Sequence, residues 1–181
     1  MLTLARYAYH KLTYVRERSV TLLGLEGSGK TSLLEALSST LDQPIVAKPG
    51  APTRGVSLSR LAHSGLSLSV RDVGGSTSNK SNLSAYTNDD LIFFVVNASD
   101  TSRLDQVKSE ISRISPLVSN HMFICLHLSM ADSERVVFAD DIFPPSDDEC
   151  SPHSVFETGA DRVGIDDLWD EVTRVLNSKG S

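Results

Sequence analysis

Residues Gly24 to Thr31 read Gly-Leu-Glu-Gly-Ser-Gly-Lys-Thr, a spacing of glycines, lysine and hydroxyl that suits the binding of a phosphate chain. Gly24, Gly27 and Gly29 let the backbone wrap phosphate oxygens, and successive amides from Glu26 through Ser28 to Ser32 can donate to them. Lys30 supplies positive charge and Thr31 a hydroxyl for Mg²⁺. A second group is Arg71-Asp72-Val73-Gly74-Gly75. There an aspartate can reach a Mg²⁺ shell, and the amide of Gly75 can face a terminal phosphate. Thr53, in Pro52-Thr53-Arg54-Gly55, lies nineteen residues before Asp72. The bland alternative is a glycine-rich turn that meets the pattern by chance. An apolar run before it and a helical pattern after it weigh against that.

The elements that must carry these residues alternate along the chain. Val20–Leu23 reads as a buried strand, and Lys30–Leu41 as a helix with Leu33, Leu34 and Leu37 at helical spacing. Residues 56–61 and 66–70 alternate apolar and polar and predict two strands paired across His63-Ser64-Gly65. The continuous apolar run Leu91–Val96 predicts a central strand covered on both faces. A helix over 104–114, a buried strand over 122–128, a short strand over 155–157 and a closing helix over 165–176 complete the order. Strands alternating with helices predict an α/β fold with a mostly parallel sheet.

Composition narrows the function. The chain has 181 residues, 40% hydrophobic and 22% charged, enough for one domain with a sizeable core. A net charge of −6 opposes general binding to nucleic acid. Cys125 and Cys150 show neither a disulfide framework nor metal-ligand spacing, which suits a reducing compartment. No apolar stretch spans a bilayer or forms a signal-peptide core, so a soluble, cytoplasmic protein is expected. The five histidines, at 10, 63, 121, 127 and 153, show no spacing that implies a metal or catalytic pair, and none is assigned a role.

With these residues in view, the chain resembles the Arf-like branch of the small GTPases, over roughly residues 18 to 176. Gly-Leu-Glu-Gly-Ser-Gly-Lys-Thr is similar to that branch's phosphate loop. Arg-Asp-Val-Gly-Gly is similar to its W-D-V-G-G segment, Pro-Thr-Arg-Gly to its P-T-V-G segment, and residues 91–100 to its central strand and following turn. The resemblance implies a six-stranded, mostly parallel sheet flanked by helices, a monomer, and GTP or GDP held with Mg²⁺. By it, Lys30 contacts the β- and γ-phosphates, Thr31 and Thr53 ligate the metal, Asp72 holds it through water, and the Gly75 amide senses the γ-phosphate. It also implies partners that read or change the switch: effector, exchange and activating proteins in membrane or vesicle traffic.

Departures from the family pattern set further expectations. Where D-V-G-G continues with a glutamine that orients water, this chain has Ser76, too short for that task. No catalytic residue is assigned, and intrinsic hydrolysis is expected to be very slow. The base-reading N-K-x-D corresponds by spacing to Ser129-Met130-Ala131-Asp132. Asp132 there accepts from the guanine donors, Ser129 loses the asparagine's bracing, and Met130 packs on the ring in place of the lysine stem. An alternative register puts His127 first and removes the aspartate from the site. The third base segment, S-A-K in the family, corresponds to Gly159-Ala160-Asp161 after Thr158. A backbone amide of Gly159 or Ala160 meets the guanine oxygen there, without the lysine.

Two segments lie outside this constellation. In residues 1–18, Leu2, Leu4, Ala5, Ala8, Tyr9, Leu12 and Val15 share an arc of roughly 160° at helical spacing. Arg6, Lys11, Arg16 and Arg18 stand against Glu17 alone. This predicts an amphipathic helix ahead of a nucleotide-binding domain over 19–181. It either lies in a membrane interface, as the resemblance implies, or folds back on the domain. Leu2 excludes N-myristoylation. The acidic, proline-containing stretch 139–154 reads as a solvated loop, with exposed Ile142-Phe143 as a partner-docking alternative. Two other functional classes stay open: a pseudoGTPase scaffold that holds nucleotide constantly or not at all, and a phosphate-loop enzyme that acts on a small molecule with ATP.

Overall fold

The computed structural model describes residues 16–40, 55–63, 66–74, 87–130, 134–143 and 154–178. Six strands form one sheet: β1 (Arg16–Leu23), β2 (Val56–His63), β3 (Leu66–Val73), β4 (Leu91–Asn97), β5 (His121–Leu128) and β6 (Ser154–Gly159). Their order is β2-β3-β1-β4-β5-β6. Only the β2–β3 pair is antiparallel. Its register sets Leu61 opposite Leu68, both buried. The helices are α1 (Lys30–Ser39), α2 (Leu104–Ile114), a single turn α3 (Ala139–Ile142) and α4 (Ile165–Ser178).

The continuous apolar strands are explained by two cores, one on each face. Successive strand residues point to opposite faces. Phe93, Val95, Phe123 and Cys125 therefore meet Leu33, Leu34 and Leu37 of α1 and Leu168, Trp169 and Val172 of α4. Their neighbours Ile92, Phe94, Val96, Ile124 and Leu126 meet Val107, Ile111 and Ile114 of α2 on the other side. Each fully buried leucine or phenylalanine contributes about 2 kcal/mol relative to exposure. Burial thus holds both helix layers on the sheet. Trp169 locks α4 onto the end of α1: its ring N–H reaches the Leu37 carbonyl (3.2 Å) and the Thr40 hydroxyl (3.0 Å).

Several expected boundaries move. β1 starts at Arg16, so Arg16, Glu17 and Arg18 are strand and do not extend an N-terminal helix. They pair with Leu66, Ser67 and Leu68 of β3. Arg18 does not face outward as a membrane cation: its guanidinium bonds Asp90 (3.3 Å) and the Leu176 carbonyl (3.0 Å). Residues 1–15, where the rest of the amphipathic pattern falls, lie outside the described residues. In the 139–154 stretch, α3 is helical and Ile142 is only 6% exposed, packed into the α2-side core with Phe143. Ile142 is therefore an anchor for this segment, not an exposed docking residue. On β2 the alternation misleads: Leu58 is 64% exposed although its sequence pattern marks it as inward. β2 is the sheet's edge, and Val56, Ser57 and Leu58 at its start are all exposed. Among the described residues, no helix is long and apolar enough to cross a membrane.

Candidate functional site: a phosphate loop and its supports

The loop between β1 and α1 turns on backbone conformations that side chains rarely adopt. Gly24 has φ +144°, and a Cβ there would run into the Val95 carbonyl oxygen of β4. Gly29, with φ +90°, caps α1, and a Cβ there would sit 3.0 Å from the His127 ring and 3.2 Å from Ser129 Cβ. The glycines let the loop lie tight on the ends of β4 and β5. Gly27 also has positive φ, and Glu26 beside it is exposed. The Glu26 carbonyl accepts from Arg103 (2.6 Å), itself paired with Asp100 at 2.7 Å, so a residue from the start of α2 holds the loop's tip.

Helical bonding in α1 begins with Leu33 N–H to the Gly29 carbonyl at 2.8 Å. The amides of its first turn, Lys30 to Ser32, precede that bond. The cap has no side-chain hydrogen bond and the first turn no acidic residue. A helix start in this condition directs its amides and positive dipole end at an incoming anion.

Lys30 is buried. Its ammonium donates to the carbonyls of Gly24 (3.2 Å) and Leu25 (2.8 Å) and approaches Ser28 Oγ at 3.4 Å. Burial pushes its pKa below the ordinary lysine value, while the charges of Asp72 and Glu26 pull it back up. Thr31 donates its hydroxyl to the Asp72 carboxylate, 2.7 Å away at the end of β3. The sheet order makes this contact: β1 and β3 are neighbours, with Leu22 opposite Asp72. Arg71 is turned the other way and pairs with buried Asp89 at 2.7 Å.

The structure therefore brings Gly24, Glu26, Gly27, Ser28, Gly29, Lys30, Thr31, Ser32 and Asp72 together. Thr53, Gly75, Ser76 and Asp132 lie outside the described residues. Of the base-reading residues, Ser129 offers its carbonyl to the Ser32 hydroxyl at 3.5 Å, and Met130 is 68% exposed. The Gly159 amide donates to the Val163 carbonyl (3.0 Å) and the Ala160 amide to the Leu128 carbonyl (2.9 Å). Both amides expected to meet a base oxygen are thus engaged within the chain. Asp161, at the family's lysine position, is exposed and accepts from the Val163 amide at 3.4 Å.

Residues 6–130 match the profile of the ADP-ribosylation factor family. The chain belongs to the ADP-ribosylation factor family. The match takes in the phosphate loop, Asp72 and Ser129 and ends before Asp132 and the third base segment. Among similar proteins, ADP-ribosylation factor-like protein 3 of Caenorhabditis elegans is 35% identical over 101 residues, 55% of this chain and 52% of that protein. ADP-ribosylation factor-like protein 1 of Saccharomyces cerevisiae is 32% identical over 97 residues, 53% and 50% of the two chains. The chain spans about half the length of these relatives. In fold it is similar to the Arl6 BBS3 small GTPase of Trypanosoma brucei, solved with the nucleotide analogue GppNp. That likeness has a TM-score of 0.69 at 19% identity and covers 91% of this chain and 99% of the other.

Two supports of the site were not assigned from the sequence. His127, fully buried on β5, sets Nδ1 3.0 Å from Thr158 Oγ1 and Nε2 3.0 Å from Ser32 Oγ. Burial, assisted by the charge of Arg135 and opposed by Asp161, lowers its pKa to about 4. Arg135 bridges the ends of β5 and β6 through the carbonyls of Leu126 (3.0 Å) and Thr158 (3.1 Å). The signal for His127 was a polar ring inside the apolar run 122–128. Arg135 gave no signal of its own.

Proposed function

We propose that this chain is an Arf-like switch that binds GTP and GDP with Mg²⁺ and hydrolyses GTP very slowly by itself. The observation that carries this reading is the loop from Gly24 to Ser32, with buried Lys30 and a helix start that has no side-chain cap and no acidic residue in its first turn. Lys30 would meet the β- and γ-phosphates, and first-turn amides up to Ser32 the remaining oxygens. Thr31 and Asp72, already 2.7 Å apart, are hard oxygen donors of the kind Mg²⁺ prefers. Among the described residues no group of three His, Cys, Asp or Glu forms a metal cage. Mg²⁺ in such sites takes one or two protein ligands and fills its shell with phosphate oxygens and water. Thr31 and Asp72 would hold the ion, whose charge would offset that of the phosphates. Thr53 and the Gly75 amide would join when the γ-phosphate is present, ordering two loops for an effector to read. Ser129, Asp132, Gly159 and Ala160 would approach the base. Residues 1–18 would lend a membrane contact through their first fifteen positions. Exchange and activating proteins would set the switch, the latter supplying charge that Ser76 cannot.

A second reading, a scaffold with constant or no nucleotide, is favoured by the Gly159 and Ala160 amides being engaged and by Asp161 standing where a lysine is expected. Release and identification of copurified nucleotide, followed by titration of labelled GTP, GDP and ATP with Mg²⁺, separates the readings. The switch requires exchangeable guanine nucleotide. In Lys30→Ala, affinity should fall at least about a hundredfold, since two charge-assisted contacts of about 1.5 kcal/mol each are lost. No micromolar binding by the unaltered chain rejects the switch, and preference for ATP moves the protein to another class.

A further inference from the structure

Ser129 stands where the family pattern has a bracing asparagine, and its carbonyl reaches the Ser32 hydroxyl only at 3.5 Å. Two residues upstream, near the end of β5, lies the ring of His127. Both residues sit under Gly29 of the phosphate loop. The ring reaches in two directions at once: Nε2 to Ser32 in the first turn of α1, and Nδ1 to Thr158 on β6, just before Gly159 and Ala160. We propose that His127 is a positioning residue that braces the phosphate loop against the base-reading end of the sheet, the task for which Ser129 is too short. The proposal rests on the nucleotide reading above and deepens it.

The chemistry of a neutral imidazole makes this brace directional. One ring nitrogen donates and the other accepts, so the hydroxyls of Thr158 and Ser32 take opposite parts. With Nδ1–H donating to Thr158, the Ser32 hydroxyl donates to Nε2. With Nε2–H donating to Ser32, the Thr158 hydroxyl donates to Nδ1, and the Ser32 proton turns to the Ser129 carbonyl. The tautomer thus sets which way the Ser32 hydroxyl points, within the turn of α1 that would meet phosphate. A change at β6 on base binding reaches α1 through a single rigid ring.

The test titrates fluorescent GDP against the unaltered chain, His127→Leu, His127→Gln, Ser32→Ala and the Ser32→Ala/His127→Leu double variant. Nitrogen-15 ring shifts of His127 are followed with and without GDP. His127→Leu should weaken GDP about tenfold, the worth of roughly one buried hydrogen bond. The double variant should lose little beyond Ser32→Ala, His127→Gln should recover part of the affinity, and GDP should move the His127 ring shifts. A merely structural histidine lowers the melting temperature without these effects. A folded His127→Leu that binds GDP as the unaltered chain does overturns the brace. If that variant does not fold, Thr158→Val decides by the same criterion, since it keeps shape and removes one of the two bonds. Failure of the unaltered chain to bind GDP overturns the nucleotide reading and the brace together, which keeps the two failures distinct.

Discussion

Acidification should destabilise this fold through His127, by an amount the structure lets one work out. The unfolded ring titrates near its ordinary value of 6.5, the folded ring near about 4. Between those values the unfolded chain binds a proton that the folded chain refuses, so stability falls as pH falls. Each decade is worth about 1.4 kcal/mol, giving roughly 2 kcal/mol of loss between pH 7 and pH 5 and roughly 3 kcal/mol by pH 4. The cause is the burial of the ring between Ser32 and Thr158, with the Arg135 charge adding to it and Asp161 opposing. The assay is urea unfolding followed by the fluorescence of Trp169, the single tryptophan, at both pH values. For a domain of this size the midpoint should drop by roughly 1 M. His127→Gln is the control, because other titrating groups act equally in both proteins. Its loss over the same interval should be smaller by roughly 2 kcal/mol. Equal losses in the two proteins would refute the reasoning.

Three further outcomes are expected. Arg71→Ala leaves the Asp89 carboxylate buried with Thr21 as its remaining described partner, and should cost about 2–3 kcal/mol in urea unfolding. Arg162 has φ +75°, a left-handed conformation in the turn after β6. Arg162→Gly should therefore raise stability by about 1 kcal/mol, read as a higher melting temperature. Ser76→Gln should raise single-turnover GTP hydrolysis at least about tenfold by restoring a side chain long enough to orient water. An unchanged rate would show that more than this side chain is missing.

Much of the fold was legible in local pattern. Leu91–Val96 announced a strand buried on both faces because only a two-sided core accepts so many apolar residues in a row. Leu33, Leu34 and Leu37 announced the inner face of α1, and Leu168, Trp169 and Val172 that of α4. The phosphate loop was legible for a related reason: a tight strand-to-helix turn around phosphate needs its glycines, lysine and threonine close together in the chain.

What stayed hidden depends on partners distant in sequence. Arg16–Arg18 read as the end of an amphipathic helix, yet β3 supplies a strand ladder, Asp90 pairs with Arg18 and the Leu176 carbonyl accepts from it. Ile142 looked exposed in an acidic loop, yet one helical turn carries it into the core. Leu58 looked buried, yet its strand is an edge. His127 was one of five histidines with no mutual spacing, placed near the site only by an alternative register of the base-reading segment. The sequence by itself determined the glycine, lysine and threonine spacing of the strand-to-helix loop and which faces would be apolar, because those depend on neighbours a few positions apart. Only the tertiary structure decided that Thr31 meets Asp72 across 41 residues, and that His127 joins Ser32 to Thr158 across 95 and 31. Strand order brings those side chains within hydrogen-bond reach, and no local period encodes it.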